Sequence, residues 1–261
     1  MKRTICLFDM DGTLTEARKK INSDMVVALN ELSKYAKIGI VTGSDFDYVM
    51  QQCDELLASE CGDEIEIFPC NGTKHYRRKD EIFESQHNVE MIEEIGRENY
   101  NYLLQTLTAF QLMITLKHKL PYSGTFFQYR DSMLNWCPIG RQAGDASRFA
   151  WTNEDKEYGI RQYFLGQIEN VIKEEKINLT VALGGATSFD IYPDGWDKTY
   201  VMNHLDEFNK VLFVGDRCQE GGNDKALYDL LSDERNSFET TGPEQTLEII
   251  NNIIKEIRKD A

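Results

Sequence analysis

Asp9 and Asp11, separated by Met10 and followed by Gly12, stand at the end of the apolar run Ile5-Cys6-Leu7-Phe8. Two carboxylates this close, at the mouth of a buried strand, suit a divalent cation together with a phosphate. One aspartate can attack phosphorus, and its neighbour can move a proton. Asp-x-Asp-Gly is also an ordinary surface turn, since both residue types favour turns. Its place directly after an apolar run, with the tail Gly12-Thr13-Leu14-Thr15, favours chemistry.

Other residues can complete a phosphoryl-transfer site. Thr42 and Ser44 end the run Ile38-Gly39-Ile40-Val41, where each hydroxyl can bind a phosphoryl oxygen or cap the next helix. Lys198 follows Asp194-Gly195-Trp196-Asp197 and can offset charge on the phosphoryl oxygens and the aspartates. Only its place before the last core segment separates it from a solvated surface lysine. Gly215-Asp216 supplies a third carboxylate, and Gly221-Gly222-Asn223-Asp224 a glycine-rich loop with further oxygen donors. A second cation site near Asn223 and Asp224 stays open. The oxygen-only set Asp9, Asp11 and Asp216 suits Mg²⁺, which takes few carboxylates and keeps water and substrate oxygens. His75, His87, His118 and His204 are scattered without ligand spacing, which argues against zinc.

The elements that must hold these residues form an α/β pattern. Asn22-Ser23-Asp24 is an N-cap cluster, followed by Met25, Val26, Leu29, Leu32 and Ala36 at helical spacing. Short apolar strands are expected at Ile38–Val41, Ile65–Phe68 and Val211–Val214, and Pro243 opens a last amphipathic helix through Ile249, Ile250, Ile253 and Ile257. Short buried strands alternating with helices predict a doubly wound, Rossmann-like parallel sheet. Ligands bind beyond the carboxyl ends of such strands, where Asp9, Asp11, Thr42 and Asp216 fall. From about Arg77 to Tyr192 the pattern changes to hairpin-like runs (125–129, 133–136, 179–183, 188–191) and two long helical stretches, 90–119 and 154–176. This predicts an inserted α+β cap at 82–192 on a core of 1–81 and 193–261, with hinges near Asp80 and at Pro193-Asp194-Gly195.

Bulk properties narrow the partners. The chain has 261 residues and a formal net charge of -15, so nucleic acid and anionic membrane surfaces are disfavoured as partners. No stretch approaches the length of an apolar membrane span, and Met1-Lys2-Arg3 leads into a strand rather than a signal-peptide core. The six cysteines lack Cys-x-x-Cys spacing and read as reduced structural thiols. A cytoplasmic location is the expectation.

The segment FDMDGTLT resembles the opening signature of the haloacid dehalogenase-like phosphotransferases. A more specific resemblance, to the eukaryotic-type phosphomannomutases, covers nearly the whole chain. It is carried by Thr15–Ile21, Gly43-Ser44-Asp45-Phe46, Gly124–Arg130, Met133-Leu134-Asn135, Pro138-Ile139-Gly140-Arg141, Arg148, Ser188-Phe189-Asp190, Tyr192–Lys198 and Gly221–Asp224. The resemblance implies interconversion of mannose 6-phosphate and mannose 1-phosphate, supplying GDP-mannose synthesis, with a hexose 1,6-bisphosphate as activator and intermediate. It implies Asp9 as nucleophile, Asp11 as general acid/base and Asp216 as a Mg²⁺ ligand. Arg18, Arg130, Arg141, Arg148, Ser188 and Asp190 would hold the hexose phosphate. Three of these arginines within nineteen residues suit an anion site, because the guanidinium binds phosphate bidentately and stays charged. A homodimer through the cap is a further implication; because an attacking hydroxyl must outcompete water, the cap is also expected to shut during transfer. The chain departs from the family pattern at Thr42, Trp136-Cys137, Ala186-Thr187 and Arg217-Cys218. Alternatives are a sugar-phosphate phosphatase on the same fold and a non-catalytic sugar-phosphate sensor.

Overall fold

The computed structural model describes residues 4–260, which form two compact units. One runs to Asn88 and resumes at Trp196; the other is Val89–Gly195. From the N-terminal side, β1 (Thr4–Phe8) leads to α1 (Ser23–Leu32), β2 (Lys37–Val41), α2 (Phe46–Gln52), α3 (Asp54–Leu57), β3 (Glu66–Phe68), β4 (Lys74–Lys79) and β5 (Ile82–Asn88). The second unit contributes α4 (Met91–Ile95), α5 (Arg97–Lys117), β6 (Phe127–Tyr129), β7 (Leu134–Trp136), α6 (Asp145–Tyr158), α7 (Ile160–Glu175), β8 (Leu179–Gly184) and β9 (Ser188–Pro193). The first unit resumes with the 3₁₀ segment Lys198–His204, then β10 (Lys210–Gly215), α8 (Lys225–Ser232), β11 (Ser237–Glu239) and α9 (Pro243–Asp260).

In the first unit seven strands form one sheet in the order β11-β10-β1-β2-β3-β4-β5. The first five are parallel, and β4 and β5 add an antiparallel hairpin. Strand β1 is flanked by β2 on one side and β10 on the other, with Phe8 level with both Ile40 and Val214. The residues that follow these three strands therefore emerge together at a topological switch point. Side-chain alternation covers both faces. Cys6 and Phe8 pack with Met25, Leu29, Val49, Ile250 and Ile253 from α1, α2 and α9. Ile5 and Leu7 pack with Val201 from the 3₁₀ segment, Leu205 just after it, and Leu227 and Leu231 from α8. Helix α1 starts where the sequence places it: the Asn22 carboxamide oxygen accepts a hydrogen bond from Met25 N at 2.8 Å.

The boundary between units falls later than the sequence reading puts it. Ile82–Asn88 pairs with β4 along its length, so it belongs to the first unit rather than to a cap beginning at 82. Asp80 and Glu81 both have positive φ, 50° and 68°, and form the two-residue turn of that hairpin. Asp80 is thus a hairpin turn, and the crossings lie at Asn88/Val89 and Gly195/Trp196.

In the second unit four antiparallel strands run in the order β6-β7-β9-β8. Each expected long helix is broken in two. Gly96, at φ 82°, separates α4 from α5, and left-handed Gly159 separates α6 from α7. One sheet face is apolar. Trp136 stacks on Phe189 at 4.7 Å between ring centroids, meets Phe164 edge-on and donates from Nε1 to Gln111 Oε1 at 2.7 Å. The other face carries Gln128, Asn135, Asp190 and Ala182 as one cross-strand row. Among the described residues no helix is long and apolar enough to cross a membrane, and the six cysteines are buried and unbridged.

Trp136→Ala should remove the centre of that apolar face and cost about 3–5 kcal/mol. Urea unfolding followed by hydrogen exchange in the second unit measures the loss, and a cost below about 1 kcal/mol would contradict this packing.

Candidate active site

The loop after β1 is wound around one carbonyl. Leu14 N and Thr15 N both donate to Met10 O at 3.0 Å, and Gly12 N donates to Thr15 O at 2.7 Å. Met10 and Leu14 are fully buried, so the loop is pinned to the core from beneath. Asp9 continues the strand, its N–H donating to Val214 O at 2.9 Å. Gly12 has φ 89°, and a Cβ built there would lie 2.4 Å from Asp216 Oδ2. Glycine at this position serves both the turn and the approach of Asp216 to the loop.

Lys198 joins the parts. It is fully buried at the start of its 3₁₀ segment, which is capped by Asp197 Oδ1 accepting from Thr199 N at 2.8 Å. Its ammonium donates to Asp9 Oδ1 and to Asp224 Oδ1. Asp224 Oδ2 accepts from Arg217 N at 2.9 Å, so both oxygens of Asp224 are engaged. Carboxylate oxygens of Asp9, Asp216 and Asp224 lie within 4.8 Å of one another. Asp216 Oδ1 and Asn223 Oδ1 are buried and make no hydrogen bond. Three carboxylates against one ammonium leave an excess of negative charge, and two oxygen acceptors lack a donor. Such a set can hold a hard divalent cation.

The charge states follow from burial. Burial pushes the Asp9 carboxyl well above the usual carboxylate range; Lys198 opposes this, while the Asp224 and Asp216 charges add to it. Asp216 is pushed up to about 6, first by burial and then by Asp224. Burial alone would lower Lys198, but the Asp224 and Asp9 charges outweigh it and hold the ammonium above the ordinary lysine value.

The remaining sequence-derived candidates divide between the units. Asp11 Oδ1 accepts from Arg18 N at 2.8 Å and from Tyr48 OH at 3.1 Å. The sequence-based metal set of Asp9, Asp11 and Asp216 therefore differs from the converging set, in which Asp224 stands in place of Asp11. Thr42 is buried, and its hydroxyl accepts from Ser44 N at 3.1 Å, while the following helix α2 is capped by Asp45. Arg18 is exposed, in the first unit, at φ 64°. In the second unit Arg148 donates from Nη1 to Thr187 Oγ1 at 2.7 Å and from Nη2 to Arg141 O at 3.0 Å. Arg141 Nη1 donates to Asn135 Oδ1 at 3.0 Å, and Asn135 Nδ2 donates to Asp190 Oδ1 at 2.7 Å. Ser188 OH donates to Gly184 O at 2.8 Å. Arg130 is buried in the β6–β7 turn, its N–H donating to Met133 O at 2.9 Å. Sequence reasoning placed Asp224 only loosely, as one more oxygen in a glycine-rich loop, and missed Tyr48 and Asn135. Asp224 carried a signal in its spacing from Gly215-Asp216; Tyr48 carried none.

Residues 25–256 match the model of a family described as eukaryotic phosphomannomutase. The chain is 35% identical over 246 residues to a phosphomannomutase of Spinacia oleracea, covering 93% of this chain and 92% of that one. It is 34% identical over 251 residues to the phosphomannomutase of Saccharomyces cerevisiae, covering 95% and 92%. Among solved structures, an ATP-bound IMP-nucleotidase of Plasmodium falciparum superposes with a TM-score of 0.70 at 14% identity, over 96% of this chain and 60% of that one. A trehalose-6-phosphate phosphatase related protein superposes at 0.57 and 10% identity, over 98% and 100%. These two share the fold. The chain belongs to the eukaryotic phosphomannomutase family of enzymes.

Proposed function

We propose that the protein interconverts mannose 6-phosphate and mannose 1-phosphate through a phosphoryl group carried on Asp9, with a hexose 1,6-bisphosphate as primer and intermediate. The single observation that carries this reading is the meeting of buried Asp9, Lys198 and Asp224 with half-buried Asp216 beyond β1 and β10, in a chain of this family. Lys198 occupies Oδ1 of Asp9 and leaves Oδ2 as the oxygen that attacks phosphorus. As the P–O bond of the sugar phosphate breaks, Asp11 gives its proton to the departing sugar oxygen. In the return step Asp11 takes the proton of the accepting hydroxyl, and the phosphoryl group leaves Asp9 for that oxygen. The Arg18 N–H and the Tyr48 hydroxyl hold Asp11 by one oxygen, leaving the other for this proton. Thr42 and Ser44 offer donors to the phosphoryl oxygens.

Of the converging oxygens, those of Asp224 are engaged by Lys198 and Arg217 N, so Asp9, Asp216 and Asn223 are the groups that would hold Mg²⁺, which when bound offsets the repulsion between carboxylate and phosphate. In the second unit Arg130, Arg141 and Arg148, with Ser188 and Asp190, would take the non-reacting end of the hexose, and Arg18 of the first unit would add a phosphate donor. Cytoplasmic supply of mannose 1-phosphate for GDP-mannose synthesis, and a homodimer through the second unit, complete the proposal.

Phosphorus NMR of mannose 1-phosphate with the protein, Mg²⁺ and a hexose 1,6-bisphosphate should show mannose 6-phosphate, and far less of it without the bisphosphate. Inorganic phosphate as the sole product would overturn the mutase reading. Asp9→Asn should lower transfer by about 10³-fold or more while calorimetry still detects hexose-phosphate binding. Lys198→Met leaves two buried carboxylates without their cation and should cost the metal-free protein about 3–5 kcal/mol in urea unfolding; an unchanged midpoint would contradict the pairing. Because the folded Asp216 carboxyl is raised to about 6, it binds a proton that the unfolded chain has released. Its contribution to metal-free stability is therefore present at acid pH and lost as pH rises through about 6. Mg²⁺ competes with that proton, so calorimetric affinity should fall as pH drops below about 6. A flat profile from about pH 5 to 7.5 would contradict the assignment.

A further inference from the structure

We infer that Asn135 is a positioning residue for hexose-phosphate recognition, holding Arg141 and Asp190 in one fixed relation. The inference rests on the reading that this face of the second unit takes the non-reacting end of the substrate.

Asn135 is the middle residue of β7, 2% exposed, directly cross-strand from Asp190 on β9 and from Gln128 on β6. Its neighbours Leu134 and Trp136 are buried on the opposite, apolar face, so the short strand cannot roll without emptying the core. The carboxamide is used at both ends. Oδ1 accepts from Arg141 Nη1 at 3.0 Å, and Nδ2 donates to Asp190 Oδ1 at 2.7 Å and to Phe189 O at 3.3 Å. A guanidinium can only donate and a carboxylate only accept, so the amide orientation is determined by its partners. The backbone of Arg141 is held independently: its N–H donates to Thr125 O at 3.0 Å, and its carbonyl accepts from Arg148 Nη2 at 3.0 Å.

The chemistry of the side chain explains why an amide suits this position. Aspartate would keep the bond to Arg141 but lose the donor to Asp190 and set two carboxylates side by side. Alanine would let both charged groups relax. Asparagine alone at this length supplies an acceptor for the arginine and a donor for the carboxylate without adding charge beside an incoming phosphate. Asn135 thereby couples an anion-binding group to a hydroxyl-binding group, which makes recognition depend on the spacing between a hexose phosphate and its ring hydroxyls.

The test compares wild type, Asn135→Ala and Asn135→Asp. It measures isomerisation kinetics, calorimetric binding of a hexose 1,6-bisphosphate, and phosphorylation of Asp9 by acetyl phosphate, a small donor with no hexose. Asn135→Ala should raise KM and the bisphosphate Kd about 10–100-fold, with phosphorylation by acetyl phosphate within about twofold of wild type. Asn135→Asp should lose more affinity near neutral pH and recover part of it toward about pH 5, because the side chain facing Asp190 then takes up a proton. Asn135→Ala should show no such recovery. Unchanged KM and Kd in Asn135→Ala would overturn the inference. So would a parallel fall in acetyl-phosphate reactivity, which marks general damage. Should Asn135→Ala fail to fold, the pH profile of Asn135→Asp decides by itself. If wild type binds the bisphosphate but does not isomerise mannose phosphates, the mutase reading fails and the Kd ratio still decides the role of Asn135.

Discussion

The ammonium of Lys198, fully buried and shared between Asp9 and Asp224, is the interaction on which the first unit's site depends. Removing these charges from water costs several kcal/mol per ion, and the arrangement recovers that cost only while both carboxylates meet the lysine. Because the lysine donates to one oxygen of Asp9, the orientation of that carboxylate is settled before any ligand arrives. Because Asp224 also accepts from Arg217 N, the lysine fixes the loop after β10 as well. Asp216, next to that anchored backbone, approaches Gly12 so closely that no side chain fits there. One cation thus orders three segments far apart in sequence.

Much of this was legible from residue order because parallel α/β sheets impose their own addresses. An apolar run that stops at Asp, Thr or Gly-Asp tells where a strand ends, and strands beside β1 end on one level. Asp9, Thr42 and Asp216 could be placed on that basis without any contact being visible. The burial of Lys198 could not be read, since a lysine after a turn looks the same whether solvated or enclosed. Nor could its pairing with Asp224: the spacing from Gly215-Asp216 marks Asp224 as an oxygen donor, but its reach back to the lysine crosses a loop whose path depends on glycines rather than on a periodic pattern. Strand β5, which the sequence reading places in the cap while β4 falls in the core, is hard to place for a similar reason. Residues 74–88 of the β4–β5 hairpin are polar and alternate weakly, and Asp80-Glu81 is an unusual pair for a turn with two positive φ angles.

The second unit divides its sheet by parity. Odd and even positions of β7 and β9 separate Trp136, Phe189 and Ile191 from Asn135, Ser188 and Asp190. The apolar set is stabilised by ring stacking and by the Trp136 hydrogen bond to Gln111. The polar set therefore stands on a rigid support, and small changes in its geometry are resisted by the core beneath it. Motif resemblance singles out the arginines and Asp190 here but not Asn135, which carries no charge and is distinguished only by what it touches on both sides.

A protein of net charge -15 repels anionic ligands at long range, so an anion gains little from electrostatic steering. Recognition must then come from local donors that are already oriented. The Arg141 and Arg148 backbones and side chains are tied to Asn135, Thr125, Ala143 and Thr187, which lowers the ordering cost when an anion binds. The same logic governs the acidic cluster of the first unit. There the three carboxylates of Asp9, Asp216 and Asp224 outnumber the one ammonium of Lys198, so in the proposed mechanism a bound cation would offset the repulsion of an approaching phosphate. Acidity overall and fixed cationic donors locally are compatible because the range of each differs: screening removes the first within about 8–10 Å in ordinary salt, whereas hydrogen-bonded guanidinium groups act at contact.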